Sequence, residues 1–308
     1  MFIIFTLMIN NIKTEFTIKD LENLSGIKAH TIRIWEKRYQ LFKPKRTDTN
    51  IRYYSIQELQ KLLNVTLLYN HGLKISKIAA LSSSKLISNI KELSLKKGVE
   101  ATALNVFKIS MLNFDEARFN EVFEKLIREH SFRYIFKNIL IPFLNEIGLL
   151  WQIESIFPAH EHFISNLIKQ KIYANIDAID KSKGIEEQDV YILFLPLNEI
   201  HDIGLLYIHY ELLLHGHRSI YLGQSIPDEN IIGLQASFKK VKIVTYLTVE
   251  PSQKSTLEYL ENISQNFKKD SSHSIHAIGQ KTKDILSENV QQKQIFVYHS
   301  PLDFLKLV

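Results

Sequence analysis

The spacing of apolar residues along this chain changes twice, and each change marks a different kind of architecture. Between residues 15 and 82 the repeats are helical but short and broken by turns. Leu21 and Leu24 lie three apart on one face, and Gly26 stands where a helix C-cap is expected. A second helix is predicted from about Lys28 to Tyr39, with Ile32, Trp35 and Tyr39 along one side. The tight Ser25-Gly26-Ile27 turn between them makes a helix-turn-helix. Pro44 ends the helical pattern, and residues 50–54 read as a strand. Ser55 with Glu58 three residues on signals the start of another helix, carrying Leu59, Leu62, Leu63, Leu67 and Leu68. After the His71-Gly72 turn, Ile75, Ile78, Ala79 and Leu81 continue a packed helical pair.

Residues 83–105, opening with serines and rich in lysine, are expected to be a partly helical linker. From 106 to 182 the period is helical throughout. The runs Phe114–Glu129, Phe132–Leu150 and Pro158–Ile179, with the helix before Asn113, predict a four-helix bundle. In the last segment, 188–308, continuous apolar runs replace the helical period. Val190–Leu195, Ser219–Leu222, Val241–Tyr246, Ser274–Ile278 and Gln294–Tyr298 read as buried parallel strands with helices between them. Five strands and five helices predict a doubly wound α/β domain, whose ligands bind beyond the C-terminal strand ends. The fold class is therefore multidomain, α and α/β: a winged helix-turn-helix over 15–82, a bundle and a parallel sheet.

Charge sharpens this division. Residues 1–80 hold 13 Lys+Arg against 6 Asp+Glu, whereas the rest of the chain is slightly acidic. A positive field confined to the first segment is what nucleic-acid contact by that segment alone would require. The absence of cysteine removes disulfides, thiolate metal sites and thiol nucleophiles, and leads to the expectation of a cytoplasmic protein. The apolar opening at residues 1–14 is too short for a membrane span and lacks a charged leader, so no membrane partner is expected, and Met8 is an alternative start to Met1.

The candidate chemistry falls in three places. In the head, Arg33 and Arg38 on the second helix, Lys45 and Arg46 in a basic hinge, and Arg52 in the wing offer donors to phosphates and base edges. Tyr53 adds flat contact area, while Trp35 is expected to pack inward. In the bundle, Trp151 is followed ten residues later by Glu161-His162. After the first strand of the α/β domain, Glu199-Ile200-His201-Asp202-Ile203-Gly204 places an imidazole at the strand's C-terminal edge, where it can bind a metal. Glu199, Asp202 or a backbone carbonyl could hold its other nitrogen, and Gly204 would admit a large ligand. The next strand ends in a turn at Gly223 and a helix started by Pro227. No nucleophile or oxyanion element accompanies His201 and Asp202, so an enzyme is not expected.

The run from Ile27 to Tyr39 (IKAHTIRIWEKRY) with Arg52-Tyr53-Tyr54 resembles the MerR family of winged-helix transcription regulators. That resemblance implies a homodimer on an inverted-repeat double-stranded DNA operator, and a DNA face that also includes Thr31 and Asn50. The Glu-x-His-x-x-Gly and Leu-Gly-x-x-x-Pro patterns are similar to those of cobalamin-binding domains. With the preceding bundle they resemble regulators of the CarH/LitR type, MerR proteins that sense adenosylcobalamin. The resemblance implies a cobalamin cofactor (adenosylcobalamin or methylcobalamin), His201 as the lower ligand of cobalt, and Trp151, Glu161 and His162 over the upper face. It also implies tail contacts from Thr245, Leu247 and Gly279. Gln152 stands where light-sensing members have His, with nearby His160 as a substitute ligand, and Gln280 replaces a glycine that makes room for the nucleotide tail. The expectation is a DNA-binding regulator, a repressor rather than an activator, that senses a cobalamin and assembles as a dimer or tetramer. The alternative is a cobalamin-independent regulator that keeps the domain for association or another ligand.

Overall fold

The computed structural model describes residues 15–96, 99–152, 155–180, 186–235, 238, 240–252, 255–266, 273–283, 285 and 294–308. Residues 1–14, with both candidate starts, lie outside them. The chain divides into two compact units, 1–167 and 168–308, with the cut inside one helix. Each is described by itself.

The first unit begins with β1 (Glu15–Thr17), α1 (Ile18–Ser25), α2 (Ala29–Tyr39), β2 (Lys45–Arg46), β3 (Arg52–Ser55), α3 (Ile56–Asn70) and α4 (Ile75–Ala79). Thr17 caps α1 through its hydroxyl, and Asp20 accepts back from the Thr17 amide at 2.8 Å. Gly26 closes that helix with φ +73°, a left-handed conformation that favours glycine. The three strands form an antiparallel sheet in the order β1-β3-β2, so half of the expected basic hinge is a strand. Leu21, Leu24, Ile32, Leu59 and Leu62 are buried together with Trp35, whose ring sits edge-on to Tyr69 at 5.1 Å.

Residues 83–105, expected to be partly helical, are helix in every described position: α5 (Ser83–Lys96) packs on α3 with Leu86 and Ile90 buried, and α6 (Val99–Asn113) follows. Their periodicity is real but was masked by the polar serines and lysines between the buried positions. The unit continues with α7 (Glu116–Glu129), α8 (Phe132–Ile135), a π-turn (Phe136–Leu140), α9 (Ile141–Gln152) and α10 (Pro158–Asp177). An aromatic cluster fills it, with Phe107 against Phe119 at 4.6 Å and against Phe143 at 5.8 Å. The predicted single helix over 132–150 is widened at the π-turn because Pro142 has no N–H and its ring collides with the carbonyl four residues back.

Head and bundle are joined by polar contacts that the sequence did not announce. Lys108 on α6 is buried; its Nζ donates to the Leu24 carbonyl at 3.2 Å and pairs with Glu146 on α9. Asn23 Nδ2 donates to the buried Ser155 Oγ at 3.0 Å.

The second unit takes in the end of α10, then β4 (Glu186–Pro196), α11 (Ile203–Leu214), β5 (His217–Ile226), α12 (Asp228–Gln235), β6 (Val241–Tyr246), α13 (Thr256–Ser264), β7 (Ser274–Ile278), β8 (Ile295–Tyr298) and α14 (Pro301–Phe304). The sheet order is β5-β4-β6-β7-β8, all parallel. Among the described residues the helices α11 to α14 accompany it, besides the end of α10. Both faces are covered. Ile192, Phe194, Ile243 and Leu260 belong to one buried layer, and Leu193, Leu195, Leu205 and Ile208 to the other. That is why the strands read as unbroken apolar runs. Chain order reverses around β4, whose neighbours are β5 and β6, so the loops after β4 and β6 face one crevice at the C-terminal edge.

Candidate functional site

The loop after β4 is organised by one buried carboxylate. Glu199 is fully enclosed; its Oε1 accepts from the amides of Ile200 and His201 and from His201 Nδ1 at 2.5 Å. Its Oε2 accepts from the amides of Thr248, Val249 and Glu250, at 2.8–3.2 Å, on the loop after β6. Burial alone pushes the carboxyl pKa upward, but the His201 ring and the backbone amides outweigh it and hold it at about 2. Glu199 is therefore a fixed anion that ties two loops across the switch point. It also settles which group holds His201: Nδ1 donates to Glu199, which places the lone pair of a neutral ring on Nε2. The imidazole side chain is about half exposed (48%). The β5 end clamps the same loop, through Gln224 Nε2 to the Ile200 carbonyl at 2.8 Å and Ser225 Oγ to the Asn198 amide at 3.1 Å.

Asp202 turns away from His201. Its carboxylate accepts from Tyr221 OH at 3.1 Å and faces Lys169 Nζ of α10 at 3.4 Å. Gly204 likewise does not face open space: a Cβ there would sit 2.8 Å from the Tyr246 ring, which packs against it. Gly279 has φ +120° and a Cβ would meet the Leu247 carbonyl at 2.5 Å, so this glycine is required by the crossing of two backbone segments. Leu247 is buried there, with its amide on the Ile278 carbonyl at 2.7 Å. The expected turn at Gly223 is not there: β5 runs on to Ile226, and Gly223, with φ +85°, sits at a register shift inside the strand.

Whether a cobalamin suits this unit can be judged on two features. The Glu199-held imidazole has the donor chemistry that a cobalt ion would accept, and the ring is about half exposed. Thr245 is completely buried, and its Oγ1 has no hydrogen-bond partner among the described residues, so the sheet edge holds a polar atom that a bound amide or hydroxyl could satisfy. Gln280 is exposed on a short 3₁₀ turn and does not fill that buried space. The residues present fit the group. Among the described residues no cluster of three His, Cys, Asp or Glu could hold a bare metal ion.

In the bundle, Trp151 on the last turn of α9 is 54% exposed and is not core. On α10, Glu161 pairs with His162 Nδ1 at 2.7 Å and accepts from Ser165 Oγ at 2.6 Å, with His162 mostly exposed. His160 is a different case. It is buried, stacks on Phe114 at 4.9 Å, and accepts from the Phe157 amide through Nδ1 at 3.2 Å. Burial lowers its pKa to about 4. It packs in the core of the bundle, and its buried Nε2 has no hydrogen-bond partner among the described residues. The side chain of Gln152 lies outside the described residues.

On the head, Arg33 and Arg38 are exposed on α2, and Lys45 and Arg46 on β2. Arg46 reaches Asn50 Oδ1 at 2.5 Å; Asn50 itself takes φ +64° in the wing turn. Thr31 Oγ1 lies 3.3 Å from His30 Nε2. Arg52 is held from its own side: its Nε is 3.2 Å from Glu36 Oε1, and Tyr54 OH donates to Glu36 Oε2 at 3.0 Å. Burial and Glu36 both push the Tyr54 phenol pKa upward. Glu36 thus locks the helix to the wing strand, and nothing in its spacing announced this. Tyr53 is half-buried beside it.

Comparison with known proteins adds two matched segments. Residues 16–85 match the family described as MerR HTH family regulatory protein, and residues 103–174 match the family described as B12 binding domain. The chain carries a MerR-type head followed by a B12-binding-type bundle. It is 26% identical to the HTH-type transcriptional repressor CarH of Myxococcus xanthus over 223 residues, covering 70% of this chain and 73% of that protein. It is 26% identical to the repressor CarA of the same organism over 215 residues, 68% of each chain. The regulator MlrA of Salmonella typhimurium (strain LT2) matches the head alone, at 32% over 69 residues, 22% of this chain and 28% of that protein. Among solved structures, the monomethylamine corrinoid protein of Methanosarcina barkeri superposes with a TM-score of 0.51 at 16% identity, covering 65% of this chain and 94% of that one. At that identity the likeness shows the fold alone. Among the described residues no helix is long and apolar enough to cross a membrane.

Proposed function

We propose that this chain is a DNA-binding transcription regulator, a repressor, whose C-terminal half senses a cobalamin. The observation that carries the reading is the imidazole of His201, held by the buried Glu199 at the sheet's switch point, in a chain whose head and bundle match MerR and B12-binding families. His201 would be the cobalt ligand through Nε2. Glu199 fixes its tautomer and orientation, and Thr245 would meet the buried part of the ligand. Trp151, Glu161 and His162 take the cap role. When bound, the corrinoid supplies a cobalt ion whose lower coordination position an imidazole nitrogen can fill. On the head, Arg33, Arg38, Lys45 and Arg46 are the phosphate and base-edge donors, supported by Thr31 and Asn50. Arg52 serves by fixing Glu36. Self-association as a dimer or tetramer on an inverted repeat follows from the same reading, with control arising because the ligand's affinity differs between assembly states.

The test is a spectrum. Full-length protein mixed with adenosylcobalamin is separated from free ligand in darkness and scanned. Wild type should retain cobalamin with the spectrum of a nitrogen-ligated corrinoid, and His201→Ala should lose that signature. No retained cobalamin in wild type, or an unchanged spectrum in the variant, overturns the sensor reading. A second reading, a regulator that works without cobalamin, is favoured by the Tyr246 ring packed over Gly204. The same titration decides between them. A mobility-shift assay on the chain's own upstream region tests the DNA half independently.

A further inference from the structure

The outward face of α2 is polar and cationic with one exception. His30, Arg33, Lys37 and Arg38 are exposed there, and among them Ile34 is 52% exposed. The opposite face is anchored, with Ile32 fully buried and Trp35 against Tyr69, so the helix cannot roll to hide Ile34. Glu36, held by Arg52 and Tyr54, fixes the same helix to the wing. A β-branched side chain is stiff at χ1 and cannot retract along the surface as lysine does.

Single exposed apolar residues are common and ask for no explanation. The surroundings of Ile34 make it informative. It lies in one row with His30 and Arg38, one helical turn from each, beside the adjacent Arg33–Lys37 row. An apolar protein surface laid on Ile34 would strip water from all of those donors. A duplex meets both demands, with phosphates for the cations at the rim and base edges for the centre of the helix. In the major groove the apolar group on a base edge is the C5-methyl of thymine.

We propose that Ile34 reads a thymine methyl, and so specifies one base in each half-site. This rests on the reading of α2 as a DNA recognition helix. It deepens that reading by naming a specificity residue that is neither basic nor aromatic.

The experiment first selects an operator from random duplexes with the full-length protein. Each thymine is then replaced singly by uracil, which removes the methyl and nothing else. For wild type, one position in each half-site should show Kd raised about four-fold, the weight of one buried methyl-sized group. The same replacement should change nothing for Ile34→Ala, and should keep its full effect in Ile51→Ala, where the exposed wing-tip isoleucine is removed instead. Ile34→Val keeps the branched shape and should show an intermediate effect, which covers the case in which the alanine variant fails to fold. An operator without thymine in the half-sites, no uracil-sensitive position in wild type, or equal sensitivity in wild type and Ile34→Ala would overturn the proposal while leaving the DNA-binding reading intact. Equal loss in the Ile51 variant overturns it too. Failure of wild type to enrich any sequence would instead overturn the DNA-binding reading itself, and this proposal with it.

Discussion

On the outward face of α2, Arg33, Lys37 and Arg38 stand in solvent around Ile34. On the loop after β4, the carboxylate of Glu199 is enclosed and accepts from five backbone amides and one imidazole. The first arrangement leaves its cations in solvent, where a polyanion that binds them gains by releasing its counterions. The second spends its charge internally, to hold one ring in one tautomer. A surface that meets a repeated, flexible phosphate lattice tolerates mobile donors. A ring that presents one nitrogen in one direction needs a fixed frame, and a buried anion with matched donors provides it. This difference predicts that substitutions at the two places act on different observables.

The largest effect is expected from Glu199→Ala. Six donors lose their acceptor, and the cost should be about 4 kcal/mol in the second unit, the range for breaking a buried charged network. Calorimetry should show the transition of that unit lowered by about 12 °C. A transition within 2 °C of wild type would mean that the loops hold themselves without the carboxylate, and the contrast between the two regions would fail.

Next is a pH effect in the sheet itself. His276 is buried between Phe296 and Tyr298, its Nδ1 facing Tyr298 OH and its Nε2 facing Ser274 Oγ. Burial first, and then Lys242, lowers its pKa to about 4. The folded pKa lies below the ordinary value, so its contribution is complete above pH 6.5 and is lost as pH falls through 4. The loss should reach about 3 kcal/mol. In His276→Phe the urea midpoint should vary less between pH 6.5 and 4 than in wild type; an identical pH slope would refute the assignment.

A smaller effect belongs to the head–bundle contact. Lys108→Met leaves the Leu24 carbonyl and Glu146 without their donor and should cost the first unit about 2 kcal/mol. Hydrogen exchange at α1 should rise with it, and unchanged exchange there would show that the contact does not hold α1. The smallest change in stability, and a distinct change in binding, is expected at Arg38. Arg38→Ala should leave the melting curve unaltered but reduce the salt slope of DNA binding by roughly one unit, the signature of one lost phosphate contact. Equal slopes would remove Arg38 from the interface.

Much of the fold was legible because burial imposes a period. The strands at 241–246 and 274–278 appeared at their own boundaries, as did α2 and Gly26 in its left-handed C-cap. The α5 segment was legible only in part because its buried residues, Leu86 and Ile90, are sparse among serines and lysines that also suit a linker. The π-turn before Pro142 is not legible in the sequence, where Phe132–Leu150 reads as one helix, since its accommodation depends on the neighbouring helices. In the sensor loop, the residue types were legible and their partners were not. Three groups could have held His201, and Gly204 read as ligand space.

Local sequence determined which segments are helices and strands, where the positive charge lies, and which imidazole stands at the sheet edge, because these follow from period, composition and position relative to a strand end. Tertiary structure alone decided that Glu199 rather than Asp202 holds His201, that Tyr246 covers Gly204, that Arg52 is committed to Glu36, and that His160 is core. Each of these joins residues distant in the chain or turns a side chain to one of two faces. Such choices are made by packing and by the requirement that buried polar groups find partners, which no short stretch of sequence contains.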